Sequence, residues 1–564
     1  MENPEFARLL SETADLMEIA GEDPFRIRSY RNAAAAIENL PERIADILRD
    51  PAREVTSIPG IGKSIAAALR EIAERGSFAR RDEMLAQYPP TALELLRIPG
   101  VGPKTVRALW EHYRVSTLED LARLCEEHKI RELKGMGPKM EQKILAGIAH
   151  YRQVAGRFLL SHAAAAAAEL APLVHGTPAG SLRRGKETVG DLDILSTDPG
   201  AIERFLAHPS VHDVLAHGET KASARFGSEG LQVDVRVVAP ESFGAALQYF
   251  TGSKEHNVAL RQRALKMGFT LNEYGLFTLE GERRVAGGTE EGIYEALGLA
   301  FIPPELRENQ GEIDAAERRS LPVLIEPHEL RGDLHMHTRE SDGRATMEEM
   351  AAAARERGYD YIAITDHSKA LAMANGLDEK RAVAFAAEVR RFNKSGAGIH
   401  VFAGLECDIL RDGRMDLAED ALAELDFVVA SVHSYMNLEP REMTDRLLRA
   451  LECRAVKALG HPTGRVLLHR DAYHYEFETV AREAARRGVW FEINASPERL
   501  DLHAALIRRA RELGCRFVIS TDAHHPKHLA NIGFGVRIAR RGWLTAADVV
   551  NTLPLGKFRA ALGR

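Results

Sequence analysis

Gly180-Ser181-Leu182-Arg183-Arg184-Gly185 leads within six residues to Asp191-Leu192-Asp193. Residues i and i+2 of a strand point to one face, so these two carboxylates converge on one side of a sheet. Asp234, in the later apolar alternation Leu231 to Val238, can complete a cluster of three. Such a cluster holds two divalent cations ~3.5–4 Å apart, one activating an attacking hydroxyl and one neutralising a triphosphate. Ser181 and Arg184 lie upstream, where a hydroxyl and a guanidinium suit the β and γ phosphates. An isolated Asp-x-Asp is usually a solvated strand face. The Gly-Ser and Arg-Arg elements at this spacing argue for chemistry instead.

A second concentration of chemistry lies near the C-terminus. Thirteen of the 22 histidines fall from His328 onward, several at the ends of short apolar runs. Asp333-Leu334-His335-Met336-His337-Thr338 puts two imidazoles on one strand face, with Asp342 following. Asp366-His367, Glu406, His433, His461 and Asp522-Ala523-His524 come after it. Imidazole and carboxylate ligands together suit Zn²⁺, Mn²⁺ or Fe²⁺. A β/α barrel gathers residues from many strand ends at one face, so ligands scattered along the chain can meet.

A third feature repeats. Ile58-Pro59-Gly60-Ile61-Gly62-Lys63 recurs as Ile98-Pro99-Gly100-Val101-Gly102-Pro103-Lys104, and more weakly as Leu133-Lys134-Gly135-Met136-Gly137-Pro138-Lys139. Two glycines around one apolar anchor make a tight turn whose N–H groups open onto a helix start, which suits a phosphate. The pattern resembles the helix-hairpin-helix motif, which holds DNA backbone without reading sequence.

The elements that position these groups follow from composition and periodicity. The 564 residues exceed one core, and 45% hydrophobic with 28% charged residues exclude disordered and fibrous classes. A net charge of −7 argues against a globally basic nucleic-acid coat but leaves room for local basic surfaces. Cys125, Cys407, Cys453 and Cys515 form no CxxC, which predicts a reducing compartment. The acidic start lacks a signal-peptide pattern, and the Ala163–Ala168 run is too short to span a membrane. A cytoplasmic location is expected. Helical spacing fills 1–150, half-buried strands begin near Thr177, and alternating β-α units follow an aperiodic stretch at 313–330.

The segments Gly180 to Leu195, Gln232 to Val238 and Tyr249-Phe250-Thr251-Gly252-Ser253 resemble family X DNA polymerases, collinearly from residue 1 to about 315. That resemblance implies Asp191, Asp193 and Asp234 as ligands for Mg²⁺ or Mn²⁺. It implies Arg157, Ser181, Arg184 and Gly190 at the incoming triphosphate. Tyr249, Phe250 and Gly252 would line the sugar pocket, and Asn257 and Arg261 would face the nascent base pair and template. DNA contacts would come from Arg26, Tyr30, Gly60, Gly62, Gly100, Gly102, Gly135 and Gly137. Residues 330–564 resemble the polymerase-and-histidinol-phosphatase (PHP) domain. The family pattern falls on His335, His337, Asp342, His367, Glu406, His433, His461, Asp522 and His524, a site for up to three Mn²⁺, Zn²⁺ or Fe²⁺ ions. His525 is expected not to ligate, and His400, His469, His474, His503 and His528 to be surface residues.

The fold implied is a multidomain chain. An α-helical helix-hairpin-helix N-terminal domain spans 1–80 and a fingers-like helical subdomain 81–152. An α+β nucleotidyltransferase palm (153–242) and thumb (243–312) follow, then a linker (313–329) and a distorted (β/α)7 barrel (330–564). The activity implied is gap filling with deoxynucleoside triphosphates on gapped or primer-template DNA by a monomer, paired with a 3′–5′ exonuclease. 3′-phosphatase or abasic-site endonuclease action is also compatible. Two departures matter. Relatives with 5′-deoxyribose-phosphate lyase activity carry a Schiff-base lysine where this chain has Ala68, and alanine forms no imine. Animal repair members place an arginine where this chain has Gln232. Competing readings are a structural or binding-only PHP domain and a non-templated nucleotidyltransferase. The complete ligand set disfavours the first, and the glycine hairpins the second.

Overall fold

Repeated glycine turns and short amphipathic stretches build one unit of the computed structural model, Met1–Ala155. Alternating strands and helices build the other, Gly156–Arg564. The structure describes residues 3–563 except 39, 41, 42, 51, 52, 59, 99, 134 and 155. Pro59, Pro99 and Lys134 of the three repeats therefore lie outside the described residues.

Every regular element described in the first unit is helical. Its two opening helices, Asn3–Ala20 and Pro24–Glu38, bury Phe6, Leu10, Met17 and Ile37 with Ile65, Leu69 and Phe78 from the segments that follow. Ala68 is only 5% exposed in the same core.

The second unit opens on a five-stranded sheet ordered Gly176–Pro178, Asp191–Ser196, Leu231–Val237, Lys221–Phe226, Val211–His217. Its central pair, Asp191–Ser196 with Leu231–Val237, is parallel, and the remaining pairings are antiparallel. Helices Leu160–Leu173 and Ala201–Leu206 contribute Leu170 and Phe205 to the core beside this sheet. Helices Phe243–Thr251 and Lys254–Lys266 follow, then a three-stranded antiparallel sheet, Phe269–Asn272, Gly275–Thr278 and Arg284–Ala286.

Residues 313–329, expected to be a linker, are tied down. Helix Glu312–Glu317 runs into them, Ala316 and Ile325 are fully buried, and the Ile325 N–H donates to the Leu544 carbonyl at 3.0 Å.

Seven parallel strands then follow in sequential order: Gly332–Asp333, Tyr361–Ile364, His400–Asp408, Phe427–Ser431, Val456–Leu459, Trp490–Asn494 and Phe517–Ser520. Apolar residues fill them because both faces of the sheet are covered. A parallel bridge from Met336 to Ala523 brings the first and last strands together, so the sheet nearly closes into a (β/α)7 barrel.

Candidate functional site

Strand register sets the geometry of the first site. Asp193 and Asp234 are direct neighbours on adjacent parallel strands, and Asp191 lies two residues away on the same face. Gly180 has φ +63°, and a Cβ there would stand 2.8 Å from Asp193 Oδ2, so only glycine lets this turn approach the carboxylate. Burial and the neighbouring Asp191 and Asp234 push Asp193 up to about 7. Asp234 goes the other way: burial opposes ionisation, but the Ser223 hydroxyl and Lys221 outweigh it. Lys221 Nζ lies 3.1 Å from Asp234 Oδ2, and Ser223 and Gln232 donate to Oδ1. Outside the barrel no three described acidic or imidazole groups have ligand atoms mutually within 4.8 Å. The donor chemistry fits hard divalent ions.

The remaining residues expected around this site are largely braced. Arg184 donates to the Thr251 carbonyl at 2.6 Å and to Glu308 at 3.0 Å. Arg183 donates to Thr251 Oγ1 at 2.9 Å and makes a bidentate pair with Glu290, which also holds buried Arg307. Ser181 is half-buried in the turn Gly180–Arg183. Asn257 donates to the carbonyls of Tyr249 at 2.7 Å and Gly252 at 3.3 Å and accepts from Gln248, so its amide shapes the turn after Phe243–Thr251. A side chain at Gly252 would meet that amide at 2.4 Å. Phe250 stacks under Arg236 and edge-on to Tyr249. Arg157 is exposed, bonds to Thr188, and approaches Gly190; Arg261 is exposed on Lys254–Lys266.

The three glycine repeats share one geometry. Gly60, Gly100 and Gly135 have φ of +90°, +92° and +86°. The next residue donates three back each time: Ile61 to Ile58, Val101 to Ile98, Met136 to Leu133, at 2.9 to 3.0 Å. Gly62, Gly102 and Gly137 then open the helices Lys63–Arg75, Pro103–Tyr113 and Pro138–Val154, while Ile61, Val101 and Met136 are buried as anchors. Arg26 is exposed 3.7 Å from Glu22. Tyr30, expected among the DNA contacts, is 6% exposed and stacked on Phe78, because its ring contributes more to the core than to solvent.

The barrel brings its expected ligands to the C-terminal ends of its strands. Ligand atoms of His337, Asp342, His367 and His524 lie mutually within 4.8 Å, as do those of His335, His337 and Asp522, and of His367, Glu406 and His433. His461 Nε2 joins them 2.9 Å from Glu406 Oε1. His335 Nε2, His337 Nδ1 and His461 Nδ1 are buried with no hydrogen-bond partner. Such nitrogens are costly unless something coordinates them, and with three carboxylates nearby they fit divalent transition metals. Burial opposes the charge on Glu406 and Asp522, but surrounding imidazoles hold both well below the usual range. The reciprocal effect lifts His367 to about 10 and His433 to about 9 against burial, while burial takes His337 down to about 3.

Several supporting residues escaped sequence reasoning. Glu492, 1% exposed, accepts from His335 Nδ1 (2.7 Å), the His461 N–H (2.5 Å) and the Ser520 hydroxyl (2.7 Å). It fixes which His335 nitrogen faces the cluster. Asp408 does the same for His433 at 3.2 Å, and Asn494 donates to Asp522 at 3.1 Å. A lone Glu inside Trp490-Phe491-Glu492-Ile493-Asn494 was the available signal. His525 caps the turn Pro526–Asn531, accepting from Lys527. His469 and His474 are exposed; His400, His503 and His528 are half-buried.

No described helix is long and apolar enough to cross a membrane. Family models match a helix-hairpin-helix domain over 1–78, a SAM-like helix-hairpin-helix tandem over 92–149, a DNA polymerase beta thumb over 246–308 and a PHP domain over 333–496. The chain is 36% identical to the DNA polymerase/3′–5′ exonuclease PolX of Bacillus subtilis over 575 residues, covering 100% of both. DNA polymerase lambda of Rattus norvegicus is 27% identical over 324 residues, 51% of this chain and 53% of that one. A probable phosphatase of Photobacterium profundum is 31% identical over 210 residues, 35% of this chain and 80% of its own length. With a full-length relative and both a polymerase thumb and a PHP domain in one chain, the protein belongs to the family X DNA polymerases that carry a C-terminal PHP domain.

Proposed function

We propose that this chain fills short gaps in DNA from deoxynucleoside triphosphates and trims 3′ ends with its barrel, acting as a cytoplasmic monomer. The observation that carries the reading is the presence of two separate acidic sites. One is a strand-paired aspartate set, Asp193 beside Asp234. The other is a buried histidine–carboxylate cluster in the barrel.

In the polymerase half, Asp191, Asp193 and Asp234 hold Mg²⁺ or Mn²⁺. Ser181, Arg184, Gly190 and Arg157 bind the triphosphate, and Tyr249, Phe250 and Gly252 seat the sugar. Asn257 acts here through the turn it braces, and Arg261 faces the template. Gly60, Gly62, Gly100, Gly102, Gly135 and Gly137 offer backbone N–H groups to DNA phosphates, and Arg26 adds an exposed cation. In the barrel His335, His337, Asp342, His367, Glu406, His433, His461, Asp522 and His524 hold up to three Mn²⁺, Zn²⁺ or Fe²⁺ ions. Bound cations supply charge neutralisation and an acidified attacking oxygen at both sites. Glu492 and Asp408 orient the imidazoles that receive them.

The test is nucleotide incorporation on a gapped duplex against a single-stranded primer, with release of 3′-terminal nucleotides followed in Mn²⁺. Preference for the gapped duplex together with 3′–5′ release is expected. Equal incorporation on both substrates favours a non-templated transferase and contradicts the reading. A second reading, 3′-phosphatase action by the barrel, is favoured by the likeness to the Photobacterium probable phosphatase. Conversion of a 3′-phosphate end to a hydroxyl, without nucleotide loss, supports it.

A further inference from the structure

Two residues at the barrel mouth carry no role in the metal site. Tyr435 lies two positions after His433, is 54% exposed, and has φ +52°. An aromatic residue in the left-handed region is strained and persists only where its surroundings hold it. The Arg411 guanidinium lies over its ring, 5.6 Å from the centroid.

The loops that carry these two residues are tied together by one buried arginine. Arg446, on helix Pro440–Ala450 and 2% exposed, donates to the carbonyls of Ser434 (2.9 Å) and Tyr435 (3.4 Å). It also donates to Leu410 at 2.9 Å and to Ile409. Its single guanidinium thereby ties the loop after strand Phe427–Ser431 to the loop after strand His400–Asp408. The second loop is itself a tight turn, with Ile409 bridged to Met415 and the Leu410 N–H donating to Arg414 at 2.8 Å. Gly413 has φ +85°, and a Cβ there would meet the Arg446 carbonyl at 2.7 Å, so the turn seats directly on the helix. An exposed aromatic ring is thus held in one place, with a cation on it, beside metal-ligating His433. That combination suits a nucleobase, since every base has a face to stack and sequence need not be read.

We propose that Tyr435, backed by Arg411, is a stacking platform for the terminal base of a single DNA strand whose 3′ end enters the barrel site. This rests on the exonuclease reading above. A platform acts on substrate binding, so its loss raises KM and spares kcat. The experiment uses the full chain with Mn²⁺ and 5′-labelled single strands ending in thymidine or in an abasic tetrahydrofuran nucleotide. Wild type and Tyr435→Phe are expected to show a KM about tenfold lower for the base-bearing end, within the range of one stacked base. Tyr435→Ala is expected to show equal KM for the two ends with kcat within about twofold of wild type. Retention of the base preference by Tyr435→Ala, or its absence in wild type, overturns the platform. A wild-type protein that releases nucleotides from neither strand overturns the exonuclease reading and, with it, the platform.

Discussion

His335 Nδ1 and Glu492 Oε1 stand 2.7 Å apart, both almost wholly buried, and this pairing turns the other imidazole nitrogen toward Glu406 and Asp522. A carboxylate held on one imidazole nitrogen sets the tautomer and leaves the other nitrogen facing the cluster.

Glu492→Gln is expected to weaken Mn²⁺ binding by about 10- to 100-fold, the usual effect of losing a carboxylate behind a ligating histidine. Titrating Mn²⁺ against 3′-end hydrolysis measures it. Primer extension should be unchanged. An unaltered Mn²⁺ dependence contradicts the orienting role.

Metal removal should cost stability as well as activity. Free of cations, the barrel buries carboxylates and imidazoles against one another. Mn²⁺ at about 100 times its Kd should restore about 2.7 kcal/mol. Calorimetry of chelator-treated protein with and without Mn²⁺ reads this as a rise in Tm. His337→Ala should show a smaller rise; an equal rise in both proteins contradicts the ligand assignment.

Gly100→Ala places a methyl group at φ +92° against the Lys143 side chain. The left-handed conformation costs about 1–2 kcal/mol for a residue other than glycine. Weaker binding to gapped duplexes is expected, by the same factor for unrelated sequences, because backbone grips carry no sequence information. Anisotropy on two sequences tests this, and a loss confined to one of them contradicts it.

Arg183→Ala removes a bidentate partner of Glu290 and the bond to Thr251 Oγ1. Hydrogen bonds to charged groups contribute about 1.5–3 kcal/mol each when buried. A lower Tm and a raised KM for the incoming nucleotide are expected, with 3′-end hydrolysis intact. An unchanged KM contradicts a role for Arg183 in fixing Thr251 at the end of helix Phe243–Thr251.

What was legible in the chain follows a physical pattern. The three glycine hairpins could be read because each is local, a turn and a helix start within seven residues. The gathering of barrel histidines and carboxylates could be read because histidines recurred at the ends of apolar runs, and strand ends are where a barrel collects side chains. Glu492 was missed because it sits inside such a run, where burial hides a carboxylate. The pairing of Arg184 with Glu308 was not legible, since 124 positions separate them. The ordering of 313–329 was equally hidden, because it depends on the Leu544 carbonyl far along the chain.

Two sites on one chain are expected to perform two reactions, which separate on a single substrate. Asp234→Ala and His337→Ala would be compared on a labelled gapped duplex with nucleotides and Mn²⁺. Asp234→Ala should shorten the 3′ end without extending it, and His337→Ala should extend without shortening. Extension at the wild-type rate by Asp234→Ala, or hydrolysis at the wild-type rate by His337→Ala, would contradict the account.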